Sequence, residues 1–526
     1  MTVIAALWIA ATLRAQADAP SLARISSIPM SEGFELVDAL AHDVDGDGSD
    51  DLVLGASSQP EARSVRRLAL HLRRKDGPAF VATPDAVLEL TPDVVAFAAG
   101  DVHADLGREI LLFSAGSVFA WRWRAQAEAQ RFVKLLDVDV LWQWPHRRDL
   151  FHFDAAVRDL DGDGLEDLAI PGPWQYGIAF QRRGADGVRS FGPPFVVAPG
   201  EPSESRDFDV ERTPSVRQSA RRRRPSVSVT SDGFSFDAER EGARPWLLLS
   251  ESVPAGQLLD WDGDGDLDLA FLTRDHLRVF VQEPRGSFGG VPVRLRNPVA
   301  VDRRRQLDVS YTARALDLDL DKRFDCVISA GDKQSDDVRT QILVFLQRTV
   351  RAGEEPLFGK GGVPAQVLVL DGFARPLAIE DVDGDGLPDL VAGSIRPNLI
   401  DSMRAAASER LDAELYVYRN TKTGFSKRPD LTHTIRVQAG GLDFTARFLG
   451  DLTGDGVSEF VERAEKDKLR VHLVKKSRDG LVLIEKPIFE MVLAETARVM
   501  LPARIGRGSS DLFVLEKGAL RCASFR

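Results

Sequence analysis

Hydrophobic and polar positions along this chain alternate in short runs, with the period of two that marks half-buried strands. Val65 to Leu72, Val118 to Trp123, Leu277 to Val281, Ile342 to Leu346, Leu415 to Tyr418 and Leu469 to Val474 all read this way. Helical periodicity is weak throughout. Two shorter apolar runs precede each alternating one, such as Phe153 to Val157 and Leu168-Ala-Ile, and a fourth, more variable run follows it. Four strand-like runs therefore recur in about 60 residues, the content of one blade of a β-propeller.

The repeat is set by a loop of pattern Asp-x-Asp-x-Asp-x-x-x-Asp between the first two strands of each unit. Complete copies are Asp43, Asp45, Asp47, Asp51; Asp159, Asp161, Asp163, Asp167; Asp260, Asp262, Asp264, Asp268; and Asp381, Asp383, Asp385, Asp389. Asp317, Asp319, Asp321 and Asp325 make a further copy, with Leu320 and Lys322 where glycines stand elsewhere. Two copies are altered: Asp101, His103, Asp105, Glu109 and Asp451, Thr453, Asp455, Glu459. Near residue 503 the pattern is degenerate; Ala503, Ile505 and Arg507 replace the first three acids, and only Asp511 remains. The expected fold is thus an all-β, eight-bladed propeller spanning 18–526, with seven blades and a C-terminal extension as the alternative. Leu22 to Ile28 has no partner in the first repeat. It is expected to supply the missing strand of the last blade and so close the ring.

Aspartates this closely spaced repel one another unless a cation bridges them. Hard carboxylate oxygens select calcium or magnesium over softer-ligand metals, and calcium's flexible coordination suits a loop. Positions one, three, five and nine are the expected ligands, with five to seven ions in all. The Asp317 loop should bind more weakly. The Asp101 loop, with His103 at position three, should bind weakest through Asp101, Asp105 and Glu109. Thr453 keeps a hydroxyl ligand in the Asp451 loop. EF-hands are excluded, because position twelve is Leu54, Ile170, Phe271, Ile328 or Ala392 rather than a bidentate Glu.

The loop Asp-x-Asp-Gly-Asp-Gly-x-x-Asp-Leu resembles that of FG-GAP and VCBS-type repeats, as in the integrin α-subunit propeller and many bacterial secreted proteins. The resemblance covers nearly all of the chain after residue 17. It implies a calcium-binding propeller and a role as a binding or adhesion scaffold for a carbohydrate or protein ligand. The same class includes polysaccharide lyases, so a carbohydrate-active enzyme is the alternative.

Other segments refine this picture. Val3 to Leu13 is apolar and ends in Ala15-Gln16-Ala17, so residues 1–17 read as a signal peptide and the chain as exported. No later stretch is long and apolar enough to span a membrane. Residues 200–244, rich in Ser, Pro, Glu and Arg, lengthen one repeat and read as a flexible polar insertion. Trp121, Trp123, Trp142, Trp144 and Trp174 concentrate in repeats two and three; they are candidates for a ligand-stacking surface, with core packing between sheets the favoured alternative. His146 and His152 lie near them without a matched catalytic partner. Cys326 and Cys522 are too few and too distant to form a disulfide framework.

Over 526 residues, the chain is 44% hydrophobic and 28% charged, with a net charge of −12. That acidity argues against a nucleic-acid partner. Much of it lies at the loop positions, where divalent ions would offset it.

Overall fold

Six of the seven Asp-rich loops join two antiparallel strands whose register starts at loop position nine, and in the Asp451 loop it starts at Phe460. In the first repeat His42 pairs with Asp51 and Ala41 with Leu52; in the fifth, Leu316 pairs with Asp325. The computed structural model describes residues 24–525, apart from 59–64, 76–78, 141–149, 154–155, 173–174, 199–226, 231–232, 239–248, 254–255, 263, 273–275, 284–285, 289–291, 297–308, 322–324, 333–338, 348–362, 396–409, 439–445, 465–467, 479, 494–497, 500–502, 506–508 and 517. The segment expected to be a signal peptide lies outside the described residues.

Among the described residues, eight sheets of meander order form the blades, with four smaller sheets besides. Blade 1 is Phe34–His42, Asp51–Ser58, Arg66–His71 and Ala86–Leu90. Blade 2 is Val94–Gly100, Glu109–Ser114, Ser117–Trp121 and Phe132–Asp137. Blades 3 to 7 repeat the order, with first strands at Val157–Arg158, Gly256–Leu259, Val309–Leu316, Phe373–Glu380 and Ala446–Phe448. In blade 8 the outermost strand is the N-terminal Arg24–Pro29, paired antiparallel with Ala519–Ser524 from the C-terminus. The chain is therefore an eight-bladed β-propeller closed by its own first strand. This closure removes a sheet edge that would otherwise be exposed.

The core lies between the blades. Leu68, Phe97, Leu112 and Trp121 fill the space between blades 1 and 2, and Val391, Leu415 and Phe460 that between blades 6 and 7. Ile28, Leu52, Phe513 and Cys522 close the junction of blades 8 and 1. Fully burying each Leu or Phe is worth about 1.5–3 kcal/mol. Both cysteines are free and buried.

Three details depart from the sequence pattern. At the degenerate eighth loop Ala503–Ile505 pairs antiparallel with Ser509–Asp511. The insertion is not featureless: Val227–Thr230, Gly233–Ala238 and Leu249–Val253 form a three-stranded sheet. Phe234 and Phe236 supply the alternation there that overall composition obscured. The rest of 200–244 lies outside the described residues. Finally, Phe151–His152 adds a parallel strand to the inner edge of blade 2. Glu128–Arg131 is a four-residue helix, and no described helix could cross a membrane.

Candidate functional site

The loop aspartates converge as their spacing implies. Asp43, Asp45 and Asp51 each bring a carboxylate oxygen within 4.8 Å of the others. So do Asp159, Asp161 and Asp167; Asp260, Asp262 and Asp268; Asp317, Asp319 and Asp325; and Asp381, Asp383 and Asp385. These acidic clusters could hold metal ions.

Position one organises the turn. Asp43 Oδ1 accepts from the Gly46 and Asp47 amides at 2.7 and 3.0 Å, and its Oδ2 accepts from Gly48 at 2.8 Å. Asp381 does the same with Gly384, Asp385 and Gly386, and Asp451 with Gly454, Asp455 and Gly456. This wrapping requires positive φ at loop positions four and six, 78° and 86° at Gly46 and Gly48. In the Asp317 loop Leu320 takes that conformation, with φ of 60°.

Position nine is buried and has a second task. Asp51 Oδ2 accepts from the Val44 and Asp45 amides at 3.0 and 3.1 Å, and its Oδ1 accepts from the Arg73 amide at 2.8 Å. Asp167, Asp268, Asp325 and Asp389 likewise tie the amide at position two to the amide following the third strand. Glu459 and Glu109 accept from the position-two amide in the altered loops. Burial pushes these carboxyls up, Asp51 to about 6, and Asp167, Asp268, Asp325, Asp389 and Glu459 to about 7. Neighbouring loop carboxylates push the same way. Buried acids among like charges need a cation or a proton.

Two oxygens mark a place that a cation could fill. Asp159 Oδ1 and Asp161 Oδ1 are buried and have no hydrogen-bond partner. Such atoms are rare, because each forfeits its solvation. The donor set around them is all hard oxygen. It suits calcium, which would be held by Asp159, Asp161, Asp163 and Asp167.

The Asp101 loop is different. Arg189 pairs with Asp101, Arg122 with Asp105, and Arg108 with Glu166 at 2.6 Å. Guanidinium groups supply counter-charge there. Basic side chains also reach the complete loops: Arg182 lies 2.6 Å from Asp161 Oδ2, Lys75 3.3 Å from Asp47, and Arg419 3.5 Å from Asp383.

Hydrogen bonds that no sequence pattern announces join the loops into a ring. The carbonyl at position two accepts from the next blade: Val44 from the Arg108 amide, Leu160 from Leu267, and Val382 from Ser458. Side-chain amides reinforce it, with Gln282 Nε2 on Leu160 at 3.0 Å, Gln347 Nε2 on Trp261 at 3.2 Å and Asn420 Nδ2 on Leu318 at 2.6 Å. The sequence shows only that position two is always a large apolar residue and that an amide often follows the third strand. At Gly384 a β-carbon would overlap the Gly456 carbonyl, so adjacent loops touch directly.

The tryptophan surface is corrected in part. Trp121 is 4% exposed in the core between blades 1 and 2, so it presents no ring to a ligand. Trp123 is partly buried against that core and carries Arg124 over its face at 4.5 Å. Trp142, Trp144 and Trp174 lie outside the described residues, as does His146. His152 Nδ1 meets Asp38 Oδ2 at 2.9 Å across blades 1 and 2, an inter-blade contact.

No family model matches this chain, and no curated protein does. Among solved structures, an Agrocybe aegerita lectin described as recognising non-reducing terminal N-acetylglucosamine is similar, with a TM-score of 0.37 and 14% identity. The match covers 80% of this chain and 97% of that one.

Proposed function

We propose that this chain is an exported, calcium-loaded propeller of the FG-GAP/VCBS-repeat kind that serves as a rigid binding scaffold for a carbohydrate or protein ligand. The orphaned, buried Asp159 Oδ1 and Asp161 Oδ1 carry this reading, in a loop whose every expected ligand is a carboxylate. Asp43, Asp45, Asp47 and Asp51, the Asp260 and Asp381 sets, and the Asp317 set repeat the arrangement around the ring. Asp451, Thr453, Asp455 and Glu459 would hold a further ion.

A cation in each loop would neutralise the carboxylates and lock the turn between a blade's first two strands. Because the loops hydrogen-bond to one another, rigidity at one spreads to the next. A stiff ring presents a preformed surface, which lowers the ordering cost of binding. The test is glycan-array binding and pull-down with the full chain in calcium and in EGTA. Ligand capture that needs calcium supports the scaffold. Release of unsaturated sugar products from a polysaccharide would instead identify a lyase.

A further inference from the structure

Position twelve of the repeat, three residues beyond the last loop acid, is Leu54, Leu112, Ile170, Phe271, Ile328, Ala392 and Val514 in seven blades. In blade 7 it is Glu462. A carboxylate here faces a space that every other blade fills with hydrocarbon, and burying it needs compensation. Two imidazoles meet it. His472 Nε2, on the neighbouring strand of blade 7, lies 3.4 Å from Glu462 Oε1. His433 Nε2, on the outer strand of blade 6, lies 3.6 Å from Glu462 Oε2. Phe460 packs against both rings.

The protonation pattern suits a metal. His472 Nδ1 lies 3.0 Å from the Ile484 carbonyl, which can only accept, so that nitrogen carries the proton. In the neutral ring Nε2 is then a bare lone pair. It is buried, with 7% of the side chain exposed, and makes no well-aligned hydrogen bond to Glu462 at 3.4 Å. His71 occupies the same place in blade 1, and its Nδ1 meets the Val81 carbonyl at 3.0 Å. There the position-twelve residue is Leu54, and no carboxylate is added. The ring-to-carbonyl bond is thus common to both blades, whereas the facing acid belongs to blade 7.

The distances fit a bridging ion. Both nitrogen–oxygen separations exceed the usual N–H···O length of about 2.9–3.0 Å. Donors on adjacent corners of a tetrahedral ion with bonds of about 2.0–2.1 Å stand about 3.3–3.4 Å apart. The carbonyl holding Nδ1 is the outer support that ligating histidines use. We propose that His433, His472 and Glu462 form a zinc-class site that clasps blade 6 to blade 7, with a fourth position open to water or a ligand. Its nitrogen donors separate it chemically from the all-oxygen loops.

Cobalt(II) is the probe. The full chain is stripped of metal, saturated with calcium and titrated with cobalt. The site predicts one cobalt per chain with the intense visible bands of tetrahedral coordination, displaced by zinc. His433→Ala and the isosteric Glu462→Gln should each abolish the bands while leaving calcium stoichiometry unchanged. Zinc should raise the melting temperature of the wild type and of neither variant. Absence of tetrahedral bands in the folded wild type, or equal bands in both variants, overturns the assignment. Holding calcium constant keeps this result independent of the loop sites.

Discussion

Arg73 Nη1 lies 2.8 Å from Asp511 Oδ2, joining the first blade to the last, with side chains 8% and 0% exposed. Asp511 is the one acid left in the degenerate eighth loop, at position nine. Arg73 follows the third strand of blade 1, where Gln282 and Gln347 reach back to their preceding blades. At the ring's seam a guanidinium therefore stands where the other contacts use an amide. It also lies 4.8 Å over the Phe80 ring.

Removing one partner of a buried pair strands the other. Arg73→Ala should cost about 3–5 kcal/mol in denaturant unfolding. The double replacement Arg73→Met with Asp511→Leu should recover most of that loss, since no buried charge remains. A single variant as stable as wild type would show that the seam does not depend on this pair.

Leu320 holds a left-handed backbone where other loops place glycine. That conformation costs a side chain about 1–2 kcal/mol, whereas glycine costs about 0.4–1 kcal/mol in unfolded-state entropy. Leu320→Gly should therefore stabilise by roughly 0.5–1 kcal/mol. Differential scanning calorimetry in saturating calcium measures it; a lower melting temperature in the variant would refute the strain.

The position-nine acids fix the sign of the pH response. Asp167, Asp268, Asp325 and Asp389 sit near 7 in the fold against 3.8 in the free group. Between those values the native chain binds more protons than the unfolded chain. Their contribution is thus full below about 3.8 and is lost as pH rises through about 7. Metal-free chain should melt higher at pH 5 than at pH 7.5, and calcium should reverse that order. An EGTA-treated chain more stable at pH 7.5 would contradict it.

The blade count was legible because each loop carries its own acids, and because Leu22 to Ile28 had no partner in its own repeat. The convergence of Asp43, Asp45 and Asp51 was legible from spacing alone. Trp121 was ambiguous, since alternation marks a strand face without saying whether a second sheet covers it. The seam between Arg73 and Asp511 was hidden by 438 residues of separation that only ring closure removes. Gln282 and Asn420 were missed because a lone amide after a strand gives no periodic signal. Glu462 was visible as an exception at position twelve, but His433 and His472 become its neighbours only when two blades pack.

In the proposed function these loops are calcium sites that hold the propeller rigid. Isothermal titration of the metal-stripped full chain with calcium, paired with a melt of each state, tests it most directly. At least five calcium ions per chain are expected, one for each of the clusters at Asp43, Asp159, Asp260, Asp317 and Asp381, with a large fall in melting temperature in EGTA. Fewer ions would remove calcium from some loops. No binding, with a melting temperature unchanged by EGTA, would show that the loops are not calcium sites.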